Sequence, residues 1–195
     1  MVRFLQINLQ HAKAASAALL TLLAEGGIDI VLIQEPWLNK GLIKGLRTRD
    51  FNLIQSACNG RLRVCMLARK NLDIFLLSEY SNADMVVASL EINNKQYWIA
   101  SVYMAHDNEM PPPGMKTLVE AAEVKNKNLI VGSDANAHHH MWGSTDINYR
   151  ARNLLNLLCL ITFQYVIDVM NRHLLLAIDK KCSMSLLFPN VLGKT

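Results

Sequence analysis

Asn8, Glu35, Tyr103, Asp134, Asn136 and the run His138, His139, His140 are the residues of this 195-residue chain whose types and placement could do chemistry. The first four each fall late in, or just after, a stretch of strand formers: VRFLQINLQ, IDIVLIQEPW, QYWIASVYMA and NLIVGSD. A hard carboxylate such as Glu35 suits Mg2+, which keeps several waters and takes one or two carboxylates plus a substrate phosphate. An Asp-x-Asn pair can hold a water and the phosphate oxygens around it, and a tyrosine can donate to a developing oxyanion. Taken singly, each has an ordinary reading as well. A Glu before Pro serves as a solvated loop residue, Asn8 could bond neighbouring backbone, Asp134 and Asn136 could form a turn at a strand exit, and Tyr103 could be a core aromatic. The three histidines invite a zinc reading, but adjacent side chains point in different directions and do not converge on one ion as ligands four apart on a helix do. The sequence holds no serine-centred elbow and no phosphate-cradling glycine loop.

The elements that must position these residues follow from pattern. VRFLQINLQ reads as a strand, AKAASAALLTLLAEGG as a helix stopped by its glycine pair, and IDIVLIQEPW as a strand buried on both faces and ended by Pro36. A β-α-β unit therefore opens the chain. RLRVCMLARK, LDIFLLSEY, DMVVASLEI and QYWIASVYMA follow, separated by short polar segments, the pattern of successive antiparallel hairpins. PPPGMKTLVEAAEVKNK starts a helix, NLIVGSD is another buried strand, NYRARNLLNLLCL a helix, and YVIDVM one more strand. Mixed strands with interspersed helices imply layers of helix over predominantly antiparallel sheet. Strand ends on rigid sheets are where open sites form.

Composition sets the outer bounds. At 51% hydrophobic the chain can bury a sizeable core in one domain. Its net charge of +4 permits a polyanionic partner without announcing one. Cys58, Cys65, Cys159 and Cys182 show no C-x-x-C pairing and read as reduced thiols. The apolar stretch from Ala14 to Ala24 follows a polar strand rather than a basic segment and is rejected as a signal peptide. Leu154 to Ile167 is too short and too polar for a membrane span. The expectation is an intracellular protein, nuclear or cytoplasmic, not secreted and with no membrane partner.

The ordered series LQINLQ, IQEPW, SVYMA and GSDANAHHHMWGS resembles the endonuclease/exonuclease/phosphatase superfamily. Within it, Gln-Glu-Pro-Trp and Asp-Ala-Asn-Ala-His-His followed by Trp-Gly-Ser resemble the apurinic-endonuclease-like domain of arthropod non-LTR retrotransposons of the jockey type. The match runs unbroken from about Val2 to about Asn148. It implies an α/β chain of α+β type: a two-sheet β-sandwich flanked by helices, four-layered and DNase I-like. It also implies a nuclease dependent on Mg2+, with Mn2+ as an alternative, that nicks target DNA so that the element's reverse transcriptase can prime on the freed 3′ end. DNA and that reverse transcriptase domain are the implied partners. By the same resemblance Glu35 is the metal ligand assisted by Asn8, Tyr103 contacts the scissile phosphate, Asp134 positions or activates the attacking water, Asn136 holds that water or the phosphate, and His138 lies near the DNA backbone.

Residues 151–195 depart from the pattern and form a divergent, shortened C-terminal part of the domain whose body is 1–150. NYRARNLLNLLCL stands where an Arg-Gly-Glu helix start is usual, and TFQYVIDVMN retains Thr162, Phe163 and Asp168, the last resembling the carboxylate that orients a terminal histidine. No Ser-Asp-His tripeptide occurs in the chain. The resemblance thus implies a fold lacking its final strand or strands, with an exposed sheet edge, and impaired turnover. The alternative reading is a catalytically inactive retrotransposon relic that keeps the fold with weak DNA or protein binding.

Overall fold

A computed structural model describes residues 2–106, 109–140, 144–160 and 173–178, with side chains for 157–160 and 173–178 left aside. The chain opens with β1 (Phe4–Asn8), α1 (Lys13–Ala24) and β2 (Ile30–Gln34). β1 and β2 pair in parallel, and Gly26 and Gly27, both at positive φ, follow the helix and turn the chain back to the sheet. There follow β3 (Leu38–Asn39), β4 (Leu42–Ile43), β5 (Phe51–Ile54), β6 (Val64–Arg69), β7 (Ile74–Leu76), β8 (Met85–Ile92) and β9 (Lys95–Tyr103). The remainder comprises α2 (Pro113–Val124), β10 (Asn128–Asp134), α3 (Tyr149–Leu160) and β11 (His173–Ile178).

The strands form two facing sheets, ordered β1-β2-β6-β5 and β11-β10-β9-β8-β7, besides the small β3-β4 hairpin. Phe4, Ile30, Leu32, Val64 and Met66 of the first sheet pack against Val86, Ala88, Leu90, Tyr97, Ile99 and Ile130 of the second. The outer face of the first sheet, through Val31, Ile33, Cys65 and Leu67, buries Leu19 and Leu23 of α1. The outer face of the second covers Met115, Leu118 and Val119 of α2 and Leu154 of α3. The result is a sandwich with helices on both sides, and the unbroken apolar runs VCMLA and IVLI are what a strand buried on two faces requires.

One expected pairing differs. β6 and β7 do not form a hairpin: β6 lies inside the first sheet, whereas β7 is the edge of the second and pairs with β8. The polar segment Lys70–Asp73 carries the chain from one sheet to the other. The β7-β8 and β8-β9 hairpins form as expected, the latter through Asn93 and Asn94, both at positive φ. β5 was not anticipated. The expected strand YVIDVM lies outside the described residues. β11 pairs antiparallel with β10, His173 standing opposite Asp134 in the register, so β10 is an interior strand. Among the described residues no helix is long and apolar enough to cross a membrane.

Candidate active site

Every second residue of a strand faces the opposing sheet, and on these inner faces the side chains turn polar toward one end. β1 reads Phe4, Gln6, Asn8; β2 reads Ile30, Leu32, Gln34; β9 reads Tyr97, Ile99, Ser101, Tyr103; β10 reads Ile130, Gly132, Asp134. The register brings these ends level, Asn8 beside Gln34 in one sheet and Tyr103 beside Asp134 in the other.

A polar seam joins the sheets beneath that end. Gln34 is fully buried; its Nε2 donates to Ser101 Oγ at 3.0 Å and to the Gly132 carbonyl at 3.2 Å, and its Oε1 accepts from Gln6 Nε2 at 2.8 Å. Gln6 Nε2 also reaches the Ser133 carbonyl at 3.2 Å, and Ser101 Oγ donates to the Ile33 carbonyl at 3.1 Å. A buried carboxamide is costly unless bonded, and these are bonded across the gap. Gly132 lets the sheets approach: a Cβ there would lie 2.5 Å from Leu32 Cδ1.

Above the seam, Asn8 Nδ2 donates to Asp134 Oδ2 at 2.6 Å, while Asn8 Oδ1 accepts the Gln10 amide at 2.7 Å. Asp134 Oδ1 accepts the Asn136 amide at 3.2 Å, so the largely buried carboxylate is held from both sides. Glu35 leaves β2 at φ +48°, a conformation uncommon outside glycine. It is fixed by its amide donating to the Arg63 carbonyl at 2.7 Å and its carbonyl accepting the His11 amide at 2.8 Å. His11 Nε2 lies 3.5 Å from Glu35 Oε1. The Tyr103 phenol is pushed above its ordinary pKa, first by burial, then by the charge of the Glu35 carboxylate and its hydrogen-bonding pull on the phenol proton, then by the charge of Asp134. The charges of Glu35 and Asp134 both act on this one phenol, which keeps its proton at neutral pH.

Asn136, at φ +46°, donates from Nδ2 to the Met104 carbonyl at 3.2 Å. His138 Nδ1 lies 2.9 Å from both oxygens of Asp146, an ion pair when the ring is protonated, and His140 Nδ1 lies 2.9 Å from the Ser144 carbonyl. The histidines thus serve their own loop and do not converge; among the described residues no three His, Cys, Asp or Glu side chains form a metal-holding group. Asp168 lies outside the described residues.

Several residues at this end escaped sequence reasoning. Asn148 closes the loop, donating to the Asn136 carbonyl at 3.1 Å and accepting the amides of His138 and Ala151. Arg150, fully buried, donates to the carbonyls of Met104, His106 and Ala135 and so joins the exits of β9 and β10. Gln6, Gln34 and Ser101 were visible only as polar residues at inner-facing positions of otherwise apolar strands. Arg63 and Asp84, which precede β6 and β8, carried no sequence signal.

Residues 97–173 match the family described as endonuclease-reverse transcriptase. Among solved structures, the endonuclease domain of TRAS1, a telomere-specific non-LTR retrotransposon, is 27% identical, with 80% of this chain and 68% of that one covered and a TM-score of 0.64. The fold is that of the endonuclease/exonuclease/phosphatase proteins. That fold is shared at lower identity by the AP endonuclease of Leishmania major, at 13% identity, 76% and 60% coverage and TM-score 0.56. It is shared too by a mutant beta toxin of Staphylococcus aureus with bound magnesium ions, at 9% identity, 93% and 85% coverage and TM-score 0.55. No curated protein matches the chain. In the endonuclease/exonuclease/phosphatase fold of this chain, the polar end of the sandwich is where Asn8, Glu35, Tyr103 and Asp134 meet.

Proposed function

We propose that this chain is a metal-dependent DNA endonuclease domain of a non-LTR retrotransposon, cutting one strand of target DNA by hydrolysis. The observation that carries the reading is the meeting of two carboxylates, Glu35 and Asp134, around the proton-bearing Tyr103 phenol, with Asn8 bonded across the sheets to Asp134. The likeness to the TRAS1 endonuclease supports the choice of DNA and of this class of element.

The donor chemistry fits Mg2+ rather than zinc: Glu35 offers a hard carboxylate oxygen in a partly open position and Asn8 a carboxamide oxygen, in place of the sulfur and imidazole ligands zinc prefers. Glu35 would hold the ion, with Asn8 near it; Mn2+ suits the same donors. When bound, it supplies polarisation of the phosphoryl oxygens and neutralisation of their charge.

The chain's own residues account for the remaining chemistry. Asp134, oriented by Asn8 and by the Asn136 amide, accepts a proton from the attacking water. The water oxygen bonds to phosphorus, the P–O3′ bond breaks, and the products are a 5′-phosphate and a 3′-hydroxyl that takes its proton from solvent. Tyr103 donates to a non-bridging phosphoryl oxygen as charge builds there. Asn136 holds the water or the phosphate, and His138, turned toward Asp146, orders the loop beside the DNA backbone. Residues 151–195 are taken as the C-terminal part of the same domain, supported by the pairing of β11 with β10. Asp168 is assigned to the site on the sequence resemblance. A reverse transcriptase of the same element would use the 3′-hydroxyl, in the nucleus or cytoplasm.

A second reading, an inactive relic that keeps the fold with weak DNA or protein binding, is favoured by the departure of NYRARNLLNLLCL from the helix start usual in the resembled family. Plasmid nicking by the purified chain in Mg2+ and in chelator, beside Glu35→Gln, Asp134→Ala and a chimera carrying a complete Ser-Asp-His terminus, separates the two. The expected result is slow Mg2+-dependent nicking, lost in both single variants and raised in the chimera. No nicking by either chain, with DNA binding retained, supports the relic.

A further inference from the structure

Arg63 and Asp84 precede β6 and β8, strands of opposite sheets, and their side chains form a two-pronged ion pair, Nε to Oδ1 and Nη2 to Oδ2. Each partner also holds one member of the site through its backbone. The Arg63 carbonyl accepts the Glu35 amide at 2.7 Å, and the Asp84 carbonyl accepts the Tyr103 amide at 2.8 Å. The Arg63 amide in turn donates to the Ala83 carbonyl at 2.8 Å, and its guanidinium carbon lies 5.2 Å from the centre of the Tyr103 ring. Glu35 and Tyr103 come from different sheets, so their separation is set by whatever ties those sheets together at this end.

We propose that the Arg63–Asp84 pair is the brace that sets the Glu35–Tyr103 separation, making Arg63 and Asp84 positioning residues for the reaction. A planar guanidinium matched to a carboxylate fixes direction as well as distance, and its face on the ring fixes the phenol's tilt. With both side chains near 30% exposed, the pair's direct contribution to stability is small. Its geometric role is separate from that contribution. A displacement of about 1 Å between reacting groups costs on the order of 10²-fold in rate. The inference rests on the nuclease reading for its kinetic consequence, but its structural content does not.

The test uses the full chain with 3-fluorotyrosine in place of tyrosine, read by fluorine NMR, and the Tyr103 resonance assigned by its loss in Tyr103→Phe. In Arg63→Met and Asp84→Asn the Tyr103 resonance is expected to shift or broaden while the other tyrosine resonances hold, and Arg63→Lys, which keeps the charge but not the fork, is expected to fall between. Glu35→Gln should move the same resonance. These outcomes do not require turnover, so they stand apart from the fate of the nuclease reading. Where nicking is measurable, Arg63→Met should lower the single-turnover rate about tenfold or more with DNA affinity within about twofold, and should add less than about twofold in a Tyr103→Phe background. A Tyr103 resonance unchanged in both Arg63→Met and Asp84→Asn, or a rate loss as large with phenylalanine as with tyrosine, overturns the proposal.

Discussion

Asn8 Nδ2 and Asp134 Oδ2 are 2.6 Å apart although 126 residues separate them in the chain, and the bond crosses from one sheet to the other. It fixes the direction in which Asp134 presents its remaining lone pairs. A hydrogen bond to a charged group is worth about 1.5–3 kcal/mol, so Asn8→Ala should lower nicking by roughly 10- to 150-fold. Asn8→Asp, which places a second carboxylate against the first, should lower it further. Single-turnover nicking with folding checked by circular dichroism reads both; an Asn8→Ala rate within twofold of the native one would remove Asn8 from the site.

Gly132 is the position at which the sheets leave no room for a side chain. Its added Cβ would meet Leu32 Cδ1 at 2.5 Å and Gln6 Cγ at 3.1 Å. Gly132→Ala is expected to destabilise the fold by about 1–3 kcal/mol through overpacking, and to disturb the Gln6–Gln34 seam. Urea unfolding measures the first effect. Combining it with Leu32→Val, which removes the nearer atom, should recover part of the loss; no recovery would mean that the backbone, not Leu32, gives way.

Tyr103 makes a signed prediction about alkaline pH. Its phenol holds its proton more tightly when folded than the ordinary value near 10. The stability this contributes is fully present below about pH 10 and is lost as pH rises through the higher folded value, because the unfolded chain sheds the proton first. The melting temperature of the native chain should therefore fall toward that of Tyr103→Phe above about pH 10, and Glu35→Gln should shrink the effect. A difference between native and Tyr103→Phe that stays constant from pH 8 to pH 11 would contradict the assignment.

DNA affinity should be directed mainly at phosphates. The chain carries +4, an excess that falls wholly from Arg150 onward, the earlier residues holding 14 charges of each sign. The logarithm of the binding constant should fall linearly with the logarithm of salt concentration, with nearly the same slope for unrelated duplexes. Fluorescence anisotropy in Ca2+, to bind without cutting, measures it. Salt-insensitive preference for one sequence would require a base-reading surface that these residues do not provide.

Much of the fold was legible because its strands are buried on one or both faces and its turns use glycine and asparagine. The β-α-β opening and the Asn93–Asn94 hairpin follow directly from those patterns. The misread junction is Lys70–Asp73: a short polar segment serves equally as a hairpin turn or as a passage between sheets. Only the burial of β6 on both faces against the exposure of Phe75 in β7 separates the two. The site was legible as residue types at strand ends. What holds it, Gln34, Arg63, Asp84, Asn148 and Arg150, was not, because these residues act through contacts between segments far apart in sequence.

The seam beneath the site also has a temporal consequence. Gln6 waits for the Ser133 carbonyl and Gln34 for that of Gly132, partners 127 and 98 residues further along. At a synthesis rate of about 5–20 residues per second, the first sheet leaves the ribosome several seconds or more before the strand that completes it. Until β10 docks, its polar inner edge faces water, and no nascent fragment ending before Asp134 contains the assembled centre. On the proposed function, the chain would be unable to cut DNA until that strand had been made and docked.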